Sequence, residues 1–212
     1  MSLTRFTSAF AAGALGAVTL VVTAPPATAA PLREGNLVRV LAADGNRLDR
    51  NWDDFDIVEK AVGRVLAAKP KSAVGVLADG STALTAFLPT DRAFRGLVTD
   101  LTGKRRATER GVLRSLNRAV DVPTLESVLL YHVVPGATIT YRQARHSDGA
   151  RLTTALSGAK IRVNVTKRHN VFLVDADRND RNPRVLRAAK NLNKGNKQIA
   201  HGINRVLRPV NL

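Results

Sequence analysis

The chain has 212 residues, with 33 Lys and Arg against 17 Asp and Glu, and contains no cysteine. The missing cysteines exclude disulfides, thiolate metal sites, thiol nucleophiles and a lipidated cysteine anchor. A formal charge of +16 draws the protein toward anionic polymers in a salt-dependent way, although charge of this kind also serves solubility and dictates neither fold nor chemistry.

Arg5, an apolar run from Ala9 to Val22 and the small-residue stretch Ala24-Pro25-Pro26-Ala27-Thr28-Ala29 have the order of a secretory signal peptide. Residues 1–29 are expected to be removed, leaving a net charge of about +15. The run is too short for a spanning helix, so an exported product without stable membrane insertion is expected. Residues 30–51 read as a loose N-terminal arm around Pro31 and Gly35, with Leu37–Leu41 a short strand or helix.

Ile57, Val58, Ala61, Val62, Val65 and Leu66 line one face of an amphipathic helix that starts at Asp53, Asp54 and Asp56 and ends at Lys69-Pro70. Trp52 reads as a plug at its entrance. Ala86-Phe87-Leu88 is a short buried strand, ended by Pro89. Thr90 then caps a second helix by accepting from the N–H of Ala93, and Asp91 places negative charge in its first turn. Phe94, Leu97, Val98 and Leu101 form its inner face, and Gly103 ends it before the basic turn Lys104-Arg105-Arg106.

Val112, Leu113, Leu116, Ala119 and Val120 predict a third helix; Leu125, Val128 and Leu129 predict a fourth that runs into Tyr131-His132-Val133-Val134-Pro135-Gly136. Beyond this point the pattern is mostly strand. Ile161, Val163 and Val165 alternate with polar residues and pair across Lys167–Asn170 with Val171–Val174, and Ile199, His201 and Ile203 share a face of the last strand. Helices first and a largely antiparallel sheet second predict an α+β domain over 52–212.

Thr85–Phe94 is similar to the first signature box of the fasciclin (FAS1) domain family, with Leu88 where a small residue is usual. Leu130–Gly136 resembles the family's central Tyr-His motif. Lys197–Pro209 resembles its second box, with His201 at the histidine, Asn204 at the acidic position and Gln198 where Gly is usual. The likeness runs from about residue 52 to 210. It implies a wedge-like β-sandwich flanked by helices, in a secreted or surface-held protein that serves adhesion or matrix contacts. The same resemblance points to Tyr131 and His132 as an interaction region; residues at such a junction also serve as core filling that satisfies buried backbone groups.

His201, between Ile199 and Ile203, reads as a structural histidine facing the core, and Thr90, Asp91 and Phe94 as structural residues of the helix start. Arg178, Arg181, Arg184 and Arg187, continued by Lys190, Lys194 and Lys197, recur every three or four residues, but Pro183 and the Asn-rich 191–196 argue against one helix. They predict a basic edge for an anionic polysaccharide, another anionic polymer or a small ligand. With few aromatics beside it, stacking on nucleic acid is not expected. Asp175, Asp177 and Asp180 mimic a calcium loop, but Asp180 and Leu186 stand where such a loop needs Gly and Glu, and Arg178 and Arg181 repel a cation. Neither G-x-S-x-G nor H-E-x-x-H occurs. The expectation is therefore a non-catalytic module without metal or cofactor, bound to a cell-surface protein or polysaccharide.

Overall fold

The computed structural model describes residues 31–45 and 47–211. The expected signal peptide and its cleavage site lie outside the described residues. Leu32–Leu212 form one compact unit, whose elements are α1 (Leu37–Leu41), α2 (Asp56–Ala68), β1 (Leu84–Pro89), α3 (Asp91–Thr102), α4 (Glu109–Ala119), α5 (Val122–Tyr131), β2 (Val133–Pro135), α6 (Tyr141–Arg145), β3 (Arg151–Thr153), β4 (Lys160–Val165), β5 (Val171–Val174) and β6 (Gln198–Ile203). The α+β class holds.

Each long helix starts on a hydrogen-bonded cap. Thr90 accepts from Ala93 at 3.4 Å, Thr108 from Gly111 at 3.1 Å and Asp121 from Thr124 at 2.9 Å. Phe55, which precedes α2, has no side chain able to do this. The carboxylate of Asp91 does it instead, accepting from the Ile57 N–H at 2.9 Å. One helix therefore begins on the first residue of another, and α3 closes at Gly103, whose φ of 65° lies in the left-handed region.

Two three-stranded sheets follow, in the orders β2-β1-β6 and β3-β4-β5. The second is an antiparallel meander, and the β4–β5 hairpin sits where alternation predicts it. The first is mixed: β1 runs antiparallel to β2 but parallel to β6, from Leu84 opposite Gln198 to Pro89 opposite Ile203. Three of the four strand pairings are antiparallel, as expected, and the β1–β6 pair is the exception. Both strands of the parallel pair are buried throughout, so neither shows the alternation from which direction and neighbours are read.

Leu84, Ala86 and Leu88 join the larger core with α1–α5, whereas Phe87 joins a smaller core shared with β4, β5, Tyr131 and Ile203. β1 is thus the wall between two cores. The N-terminal arm belongs to the domain and is not loose. Leu37 and Leu41 are buried, the Leu37 N–H donates to Gln198 Oε1 at 2.9 Å, and Gln198 Nε2 donates to Val76 O and Asp79 O at 2.7 Å each. Gln198, at the position where the family's box carries Gly, is the clamp that fastens residues 32–41 to β6.

Candidate functional site

Tyr131 and His132 end α5 and are both buried; of the two readings of this junction, core filling and interaction region, burial fits the first. Tyr131 donates its hydroxyl to Lys160 O at 3.1 Å; burial, with Asp175 nearby, pushes its pKa up to about 12. His132 Nδ1 donates to Val128 O at 2.7 Å, and its Nε2 accepts from the Leu207 N–H at 2.9 Å. Burial pushes His132 down to about 4, so it is neutral at pH 7 and its ring splices α5 to the C-terminal segment. Any surface at this motif belongs to neighbours such as Thr124, Ser127 and Lys160, which line a groove of about 730 Å³ along one edge of Tyr131.

His201 is buried in β6, a strand whose six residues are all buried. Its Nε2 donates to Ile139 O at 2.8 Å and its Nδ1 accepts from the Asn191 N–H at 3.3 Å. Burial lowers its pKa as well. Both histidines of the signature motifs therefore spend both ring nitrogens on backbone groups, while His146 and His169 are exposed. Thr90, Asp91 and Phe94 are buried in their structural places.

The basic residues divide into two sets. Arg178, Arg181, Arg184 and Arg187 are all exposed, and among the described residues none of the four forms an ion pair; the Arg187 guanidinium donates to Arg168 O at 3.0 Å. Arg205 and Arg208 point into the acidic loop instead. Arg208, 5% exposed, meets Asp177 at 3.2 Å, Asp180 at 3.3 Å and Asp100, while Arg205 meets Asp180 at 2.9 Å and the Arg208 N–H donates to Asp175. The loop that resembles a calcium site in sequence is filled by a guanidinium.

A cleft of about 460 Å³ beside α3 is lined by Arg92, Arg95, Arg105, Asn204 and Arg205. Arg92 is committed to Asp53 through two hydrogen bonds of 3.1 and 3.2 Å, and Arg95 lies over the Trp52 ring at 3.9 Å. Partial burial, then the nearby Arg105 and Arg92, lowers the Arg95 pKa. Sequence periodicity could not find this cleft, because α3 and the segment after β6 meet only in the fold.

A second acidic cluster lies where α2, α3 and α4 begin. Asp54, Asp91 and Glu109 each place an oxygen within 4.8 Å of the others, and Asp49 and Asp56 form a like group around Asp54. Burial first, then the neighbouring carboxylates, pushes Asp91 up to about 8 and Glu109 up to about 7.

Residues 65–209 match the model of the fasciclin domain. The chain belongs to the fasciclin-domain family. The matched span takes in all three signature motifs and begins inside α2. Fasciclin domains are typically extracellular or cell-surface modules of adhesion and interaction, and among the described residues no helix is long and apolar enough to cross a membrane. A FAS1 domain pair from the insect cell adhesion molecule fasciclin I is a structural neighbour at 15% identity and a TM-score of 0.48, over 70% of this chain and 45% of that one. The fasciclin chain described here thus spans less than half the length of that neighbour. No curated protein matches.

Proposed function

We propose that this fasciclin domain is a secreted, non-catalytic adhesion module that holds an anionic component of a cell surface or extracellular matrix through its basic edge. The observation that carries this reading is the exposure of Arg178, Arg181, Arg184 and Arg187, with no carboxylate paired to any of them among the described residues. A guanidinium kept free of internal acids in a protein of charge +16 is available to sulfate, phosphate or carboxylate groups, which it can meet with two parallel hydrogen bonds. Neither signature histidine has a free nitrogen to act as a general base, which supports a binding role over a hydrolytic one.

Binding to immobilised dextran sulfate and polygalacturonate tests the reading. Affinity is expected to fall at least tenfold between about 50 mM and about 500 mM salt, as phosphate-like contacts do. Replacing the four arginines with Gln should weaken binding by a similar factor at low salt while leaving the melting temperature within a degree or two, since exposed positions contribute little to stability. Salt-independent binding, or full binding by the quadruple variant, would overturn it.

A further inference from the structure

We propose that Asp54, Asp91 and Glu109 form a binding site for a hard divalent cation of the calcium class, at the point where α2, α3 and α4 begin. Oxygens bound to one calcium ion stand no more than about 5 Å apart, because each lies about 2.3–2.6 Å from it. The three carboxylates meet that condition at 4.8 Å, and Asp49 and Asp56 bring two more to the same place.

Burial is the second observation. Asp91 and Glu109 are both 0% exposed. Asp91 uses one oxygen for the Ile57 N–H, and its Oδ2 is buried with no protein donor. Both oxygens of Glu109 are likewise outside hydrogen-bond geometry; the Asp49 backbone N–H acts on the carboxylate only weakly. No Lys or Arg among the described residues pairs with Asp91 or Glu109. Buried carboxylates ordinarily have such partners, bind a metal or take up a proton.

The molecule supplies its own comparison. Asp177 and Asp180 also come together, and Arg205 and Arg208 neutralise them. Nothing equivalent reaches Asp91 and Glu109. Helix dipoles favour an acid in a first turn, but an exposed carboxylate already gains from the dipole, so the dipole alone does not call for burial. An all-oxygen ligand set selects calcium, magnesium or manganese over zinc or copper. The frame is already fixed: the Asp91 N–H donates to Asp54 O at 3.1 Å and the Arg92 N–H to Trp52 O at 2.9 Å.

Trp52, the only tryptophan, lies two residues from Asp54 and serves as the antenna for the test. Chelator-treated protein is titrated with Tb³⁺ under tryptophan excitation, and Ca²⁺ is then added as competitor. The site predicts sensitised emission that Ca²⁺ quenches, and a melting temperature higher in millimolar Ca²⁺ than in chelator. Glu109→Gln should weaken both ions at least tenfold with unchanged circular dichroism. Asp54→Asn, at a less buried position, should do the same and stands in if Glu109→Gln does not fold. No sensitised emission, emission that Ca²⁺ leaves unchanged, or equal ion affinity in a folded variant would overturn the site.

Discussion

His132 and His201 are locked in opposite tautomers. His132 donates through Nδ1 and accepts through Nε2; His201 donates through Nε2 and accepts through Nδ1. A proton added to either ring sets two N–H groups against one another across the same bond to Leu207 or Asn191. For His132 the sign is definite. The unfolded chain takes up this proton below about pH 6.5 and the folded protein only near pH 4, so the stability it contributes is complete above pH 6.5 and is lost as pH falls to about 4. That window corresponds to about 3 kcal/mol. His132→Asn cannot titrate there. The stability difference between wild type and variant, from urea unfolding, should therefore shrink by about that amount between pH 7 and pH 4. A difference that stays constant would mean the ring reaches water. The comparison with the variant is needed because Asp91 and Glu109, with raised pKa values, change stability in the opposite sense over part of the range.

At the scale of elements, β6 is tightly constrained. Gly202 donates to Ala189 O at 2.7 Å and accepts from the Leu186 N–H at 2.8 Å, and a Cβ at Gly202 would stand 2.5 Å from the Ala189 Cβ and 3.2 Å from the Phe55 ring. Gly202→Ala should lower stability by about 1–3 kcal/mol, the usual cost of overpacking; an unchanged urea midpoint would show that the 186–189 segment yields freely. The elements that local pattern specifies were legible in the sequence. The cap at Thr90, the inner face of α3, the left-handed stop at Gly103 and the β4–β5 hairpin each follow from residues within one or two turns of one another. α6 was missed although its signal was present: Thr140 and Gln143 form a capping box, overshadowed by the strand-like residues before it. The burial of His132 was legible only as one of two alternatives, because its partner Leu207 is brought in by the fold. Neither the arginine cleft nor the acidic cluster could be read, since each gathers residues from elements far apart in the chain.

For the whole molecule, charge and connectivity pull in separate directions. Arg178, Arg181, Arg184 and Arg187 are exposed and, among the described residues, paired with no acid, while Arg205 and Arg208 are consumed in holding the C-terminal segment to the 175–180 loop. That segment completes both cores through Ile203, Val206 and Leu207. A chain ended before Gln198 should thus fail to fold, with random-coil circular dichroism and rapid amide exchange throughout; a cooperative melt in that fragment would contradict the role assigned to β6. The parallel pairing of β1 with β6 also sets an order of events in time. The strand dividing the two cores is synthesised more than a hundred residues before its parallel neighbour. Contacts so distant along the chain place folding toward the slow end, on the order of milliseconds to seconds. Until translation reaches β6, the nascent chain exposes the edge of β1 and stays open to chaperones and proteases.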